Sequence, residues 1–251
     1  MTVQGRYRNS GRYRNPLPCG SLIHSFDNDY REGRCQEGRL WVGTLGCFVE
    51  MSDGSAALLS NNHVIAGCNR GRRGSDRIFQ PANYVYDPGF RIALLHDFVE
   101  LHAVTSETRP SDDELNSVDA AIAKLEEGIE FRQAYLPSDP SATLRGIASV
   151  NPGDQVSKIG CRTAHTLGTV VRTDVEVGPV WYVECAGYCW FRRSFLIEGI
   201  NGQKFADHGD SGSAIVNTEG EVVGLLYAVN SGRAAACPID AVLQSLACAL
   251  A

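Results

Sequence analysis

The stretch "ADHGDSGSAI", residues 206–215, decides how this chain is read. Glycine, aspartate and serine are common turn residues, so these ten positions fit a tight connection between two strands. They also fit a serine, Ser211, held at a sharp bend with its hydroxyl presented for attack. A serine hydroxyl is a weak nucleophile until a base takes its proton. The base in turn needs a carboxylate to fix its tautomer and stabilise the imidazolium. A nucleophilic Ser211 therefore requires a histidine and an acid elsewhere in the chain.

Of the six histidines, His24 falls in the N-terminal leader, and His96 and His102 fall in the strand-like "LLHDFVELHAV" (94–104). His63, in "AALLSNNHVIAG" (56–67), follows an apolar strand directly and is the best base. The best acid is Asp119 in "NSVDAAIAKL" (116–125), an aspartate leading into an apolar strand. A buried carboxylate is costly without a partner, which gives Asp119 a reason to face the histidine. Asp97 in "LHDFV" is the second choice.

The rest of the chain limits the alternatives. At 251 residues, with 43% hydrophobic and 21% charged residues, it is an ordinary soluble globular sequence, long enough for one large domain or two barrels sharing a core. A net charge of −6 argues against a nucleic-acid binder with a wholly basic surface. No apolar run reaches membrane-spanning length, and the N-terminus lacks the apolar core of a secretory signal. The expected location is therefore cytoplasmic, without membrane association. Nine cysteines, several in apolar runs, read as free thiols acting as small hydrophobes, with no disulfide framework expected.

Residues 1–38 read as a basic, flexible arm containing the pentamer GRYRN twice, at Gly5–Asn9 and Gly11–Asn15. Arginine with tyrosine could contact nucleic acid there, and nucleic acid is not expected elsewhere. Residues 39–130 hold short strands and hairpin turns. Residues 131–150, with two prolines, read as a surface linker. Residues 151–251 hold a second group of strands and a closing helix, "DAVLQSLACALA", with Asp240 as its N-cap. The fold class expected is all-β: two packed six-stranded antiparallel Greek-key barrels with a C-terminal helix.

The motifs "SNNHVIAG", "VDAAIAKL" and "HGDSGSAIV", in the order His, Asp, Ser, resemble those of the chymotrypsin-like, trypsin-type serine peptidases. The nearer resemblance is to the intracellular bacterial and plant branch that includes the Narrow-leaf-like proteins. It covers roughly residues 40–245 and implies the two-barrel fold. It also implies a serine endopeptidase working through an acyl-enzyme, with Ser211 as nucleophile, His63 as general base and then acid, and Asp119 as orienter. Backbone N–H groups of Gly209 and Ser211 would form the oxyanion hole. Phe205, Tyr227 and Val229 would line the substrate pocket, implying a small or apolar residue before the scissile bond. Asp207 keeps a basic preference open if the loop register is shifted. No cofactor is implied.

Two features stand outside that pattern. Secreted relatives pair the aspartate before the nucleophile, here Asp210, with a newly exposed N-terminal amine. No isoleucine-valine-glycine-glycine stretch precedes the first barrel, so Asp210 needs another partner. The enzyme would be either constitutively formed or switched by a regulatory partner protein. Separately, Cys161, His165, Cys185 and Cys189 have spacings that could hold zinc, although apolar cysteines at turns account for them more simply. The expected activity is hydrolysis of a restricted set of protein or peptide substrates. The alternative is a catalytically inactive peptide-binding or interaction module on the same fold.

Overall fold

The computed structural model describes residues 7, 10–13, 16–33, 40–83, 85–135, 143–230 and 232–251. Apolar runs in the first half become β1 (Leu17–Cys19), β2 (Leu22–Ser25), β3 (Gly43–Thr44), β4 (Cys47–Met51), β5 (Ala56–Ser60), β6 (Arg77–Phe79), β7 (Arg91–Phe98), β8 (Ala103–Val104), β9 (Ala121–Leu125) and β10 (Phe131–Tyr135). The helices α1 (Phe26–Arg31) and α2 (Asn62–Ile65) interrupt them. The second half forms β11 (Gln155–Gly160), β12 (Ala164–Tyr182), β13 (Gly187–Gly199), β14 (Ala214–Val216), β15 (Val222–Asn230), β16 (Arg233–Pro238), α3 (Ile239–Ser245) and β17 (Cys248–Leu250).

β4 is buried on both faces over most of its length. Cys47, Phe48, Val49 and Met51 are buried while Glu50 is exposed, and Gly54 supplies the positive φ of the turn. The first sheet runs β17-β4-β5-β9-β7-β6-β2-β3. The second runs β12-β11-β14-β15-β16-β13-β8, and a further β12–β13 pairing closes six of its strands into a ring. Both are antiparallel throughout. One apolar cluster spans both sheets, joining Leu59 and Ile122 to Leu225 and Val242. A second fills the closed barrel with Val156, Phe195, Ile197, Phe205, Ile215 and Leu226. The fold is all-β with two curled sheets, as the strand spacing predicts.

Four expectations need correction. Residues 17–31 are not a flexible arm: Leu17, Cys19, Leu22 and Ile23 are fully buried, and β2 pairs with β3 and β6. Four apolar residues in this short run are enough to anchor it once a sheet edge is available. Of the GRYRN repeat, only Tyr7 and Gly11–Tyr13 lie within the described residues. Gln80 holds the second copy, donating to the Gly11 carbonyl at 2.7 Å and accepting from the Tyr13 N–H at 2.9 Å. In the expected linker, Phe131–Tyr135 is instead β10, paired in parallel with β1.

The C-terminal segment is a short helix, N-capped by Pro238 rather than Asp240, followed by β17, which returns to β4 of the first sheet. Finally, Cys68 and Cys185 form a disulfide, with Cα atoms 5.1 Å apart across 117 residues of sequence. That removes the thiol-based support for a reducing compartment. Among the described residues, no helix is long and apolar enough to cross a membrane.

Burial of β2 is directly testable. Replacing Ile23 by alanine leaves a cavity and should lower stability by about 2–5 kcal/mol. Urea unfolding of the variant would measure it, and a shift of only a few tenths would restore the flexible-arm description.

Candidate active site

His63 sits on the single turn of α2, at the end of β5. The two asparagines before it explain why the chain bends there. Asn61 donates to the Asp119 carbonyl at 2.6 Å. Asn62 donates to Asn69 and to the Val99 carbonyl, each at 2.7 Å. The histidine turn is thus fixed directly to the segment that carries the acid. Asp119, fully buried just before β9, accepts from His63 Nδ1 at 2.5 Å and from the His63 backbone N–H at 3.2 Å. This leaves Nε2 as the free face of the ring. Asp97, the alternative acid, is half-exposed on β7 and paired with Arg73 at 2.6 Å. His24 is fully buried in a separate pair with Asp29 at 2.8 Å, and its other nitrogen accepts the Asn83 N–H, so it serves structure rather than this site.

A third residue, silent in the sequence, completes the pair. Tyr182, the last residue of β12, stacks on His63 with centroids 4.6 Å apart and planes inclined by 19°. Its hydroxyl donates to Asp119 Oδ2 at 2.8 Å. Burial by itself would lower the His63 pKa. The charge and hydrogen bond of Asp119 and the charge of Glu184 outweigh it and hold the value above that of an ordinary histidine. Cys185, three residues beyond Tyr182, is bonded to Cys68, five residues beyond His63. The disulfide therefore ties the β12–β13 turn to the histidine turn.

Ser211 opens with His63 onto a cavity of about 760 Å³. No hydrogen bond joins its hydroxyl to the His63 ring; such contacts are often long in unliganded sites. Gly209 has φ +107° and Gly212 φ +90°. A Cβ on Gly212 would collide with Ser60 Oγ and the Thr44 carbonyl, so the turn around Ser211 requires glycine. The Gly209 carbonyl accepts from Thr44 Oγ1 and Cys161 Sγ, both at 3.0 Å, and the Ser211 carbonyl accepts from the Thr44 N–H at 2.8 Å. Among the described residues, the N–H groups of Gly209 and Ser211 have no acceptor. The Tyr7 ring packs against Gly209, 5.5 Å below the Arg162 guanidinium.

Asp210 has the partner that the sequence left open. Lys158 Nζ, fully buried on β11, lies 3.2 Å from Asp210 Oδ2. The carboxylate also accepts from the N–H groups of Arg162 (2.8 Å), Thr163 (3.1 Å) and Asp207 (3.0 Å), and from the Thr163 hydroxyl (2.7 Å). Burial pulls the Lys158 pKa down against the opposing charge of Asp210. A lysine eight residues into the second half carries no local mark of this role, because only the fold brings it to Asp210.

The pocket assignments divide. Val229 and Tyr227 line the cavity; Tyr227 is otherwise buried, its hydroxyl 2.9 Å from Ser194 Oγ. Phe205 does not line it. The ring is buried in the core of the closed barrel, so it cannot floor the pocket. The zinc arrangement also fails: Cys185 is in the disulfide, and the Cys161 thiol is committed to the Gly209 carbonyl.

Two predictions follow from these contacts. Tyr182→Phe keeps the stack but removes a donor from Asp119, leaving more negative charge facing His63. The pH at which the His63 ring loses its proton, raised above the ordinary histidine value of about 6.5, should move higher still, as read from the ring signals by NMR. An unchanged pH profile would assign Tyr182 to packing alone. Lys158→Met strands a buried carboxylate and should cost about 3–5 kcal/mol of stability. Thermal and urea unfolding of the purified variant would measure this loss.

The sequence model of the trypsin family matches residues 53–242. Protein NARROW LEAF 1 of Oryza sativa subsp. japonica is 26% identical over 219 residues, covering 76% of this chain and 34% of that protein. The chain thus spans about a third of the length of that curated relative. Among solved structures, the fold is similar to Cellulomonas bogoriensis chymotrypsin (TM-score 0.59, 16% identity, 94% of this chain and 98% of that one). It is also similar to a Nocardiopsis protease (0.61, 15%, 94% and 98%) and a glutamic acid specific serine protease (0.61, 15%, 94% and 100%). The family match covers most of the chain, including His63, Asp119 and Ser211, and with it the trypsin-like serine protease fold: this chain belongs to the trypsin family.

Proposed function

We propose that the protein is a serine endopeptidase. Ser211 attacks the scissile carbonyl as His63 Nε2 takes the hydroxyl proton, while Asp119 holds the Nδ1 proton and stabilises the imidazolium. The N–H groups of Gly209 and Ser211 receive the developing oxyanion. His63 then gives its proton to the leaving amine, and water, activated by the same imidazole, releases the acyl group from Ser211. The observation that carries this reading is the pair of N–H groups, of Gly209 and Ser211, that have no acceptor among the described residues and lie on the cavity that His63 also faces.

Lys158 supports a nucleophile loop that is formed without a newly cut amine, since an internal ammonium already neutralises Asp210. Restriction to few substrates is the companion proposal. Tyr7 packs against Gly209 beside the nucleophile, where an incoming carbonyl would have to compete with it.

A fluorophosphonate probe tests the core of the proposal. The wild type should be labelled at Ser211 and Ser211→Ala should not, with labelling rising with pH as His63 loses its proton. An unlabelled, folded wild type would instead support the inactive peptide-binding module.

A further inference from the structure

Tyr7, the one residue of the first GRYRN copy within the described residues, lines the same cavity as His63 and Ser211. Its ring packs with Leu40 and Val42 against Leu22 and Cys161, and the Arg162 guanidinium lies 5.5 Å from its centroid. The ring edge stands against Gly209, where a Cβ would come within 2.7 Å of Tyr7 Cε1. The Tyr7 carbonyl accepts from Ser10 Oγ at 3.1 Å, and the N–H groups of Gly209 and Ser211 have no acceptor among the described residues. Tyr7 therefore enters the cleft with its side chain and does not lie there as a substrate whose carbonyl is held for attack.

The second copy keeps the first close. Gln80, fully buried, clips the backbone at Gly11 and Tyr13. The Arg12 guanidinium lies 4.8 Å from the centroid of the Phe90 ring and donates to the Gly89 carbonyl, while Tyr13 packs against the main core. Tyr7 stands four residues before Gly11. Four extended residues reach about 14 Å, so the ring cannot travel far from the cleft while the anchor holds. A tether this short sets an effective concentration of about millimolar. A contact too weak to retain a free peptide tightly then still fills the cleft. Lys158 already holds Asp210, so the nucleophile loop needs no ordering step, and entry is what is left to control.

We propose that the first GRYRN copy is an internal inhibitor: Tyr7 occupies the cleft beside Gly209, and an incoming peptide displaces it while Gly11–Tyr13 stays anchored. The proposal rests on the endopeptidase reading for the word inhibitor, but filling of the cleft can be measured without turnover.

The experiment therefore has two arms. In the first, fluorophosphonate labelling rates are compared for the full-length wild type, Tyr7→Ala and Tyr7→Phe. Tyr7→Ala should react about tenfold faster than wild type, the factor for a cleft closed about nine-tenths of the time. Tyr7→Phe keeps the ring and should react at the wild-type rate. In the second arm, a synthetic GRYRN peptide at about millimolar concentration is added to full-length Ser211→Ala and to Tyr7→Ala/Ser211→Ala, and the His63 ring signals are followed by NMR. The peptide should shift them in Tyr7→Ala/Ser211→Ala and leave them in place in Ser211→Ala, whose own Tyr7 fills the cleft. Tyr7→Ala labelled no faster than a labelled wild type would overturn the proposal, as would a peptide that shifts neither protein or both equally. If no protein is labelled, a shift confined to Tyr7→Ala/Ser211→Ala sustains the occupied cleft and overturns the peptidase reading instead.

Discussion

A fully buried ammonium and a fully buried carboxylate meet between β11 and the loop that carries Ser211. Each ion would be strongly unfavourable in that position alone, and four further donors complete the shell of the carboxylate. Asp210 is therefore fixed in place, and its two chain neighbours, Gly209 and Ser211, inherit that fixity. The direction of their N–H groups depends on it. Gly160 shows how tightly the loop is seated: a side chain there would occupy the volume filled by the Asp210 carboxylate.

A second constraint works from the other side of the cleft. His63 is held by Asp119 below, by Tyr182 across its face, and by a short covalent path through Cys68 and Cys185. Tyr182 belongs to the closed barrel, whereas Asp119 and His63 belong to the other sheet. The hydroxyl that Tyr182 donates thus crosses between the two halves. The placement of His63 against Asp119 therefore depends on contacts from both sheets.

How much of this could be read beforehand depends on whether the signal was local. His63, Asp119 and Ser211 stand out in the sequence because each lies in a short motif at a strand end, and the structure brings His63 against Asp119 and sets Ser211 on the same cavity. Even the "SNN" before His63 is local, since Asn61 reaches the backbone of Asp119. Tyr182 and Lys158 were not legible. A tyrosine in an apolar run and a lysine in a strand are ordinary until distant segments meet them. The disulfide was hidden for the same reason, its cysteines lying 117 residues apart. Residues 17–25 were misread because their arginine-rich preface dominated the composition of the window, while a handful of apolar residues determined their burial.

The two sheets exchange strands. β17, from the C-terminal end of the described chain, completes the first sheet, and β8, from the first half, extends the second. No single cut in the sequence separates the molecule into two self-contained barrels. A fragment ending near residue 135 would expose the edge of β4 that β17 normally covers. Its complement would lose the strand beside β13, and both would present open backbone to other chains. Two joined barrels thus describe the architecture, while the strand exchange makes each sheet depend on a segment from the other half of the sequence.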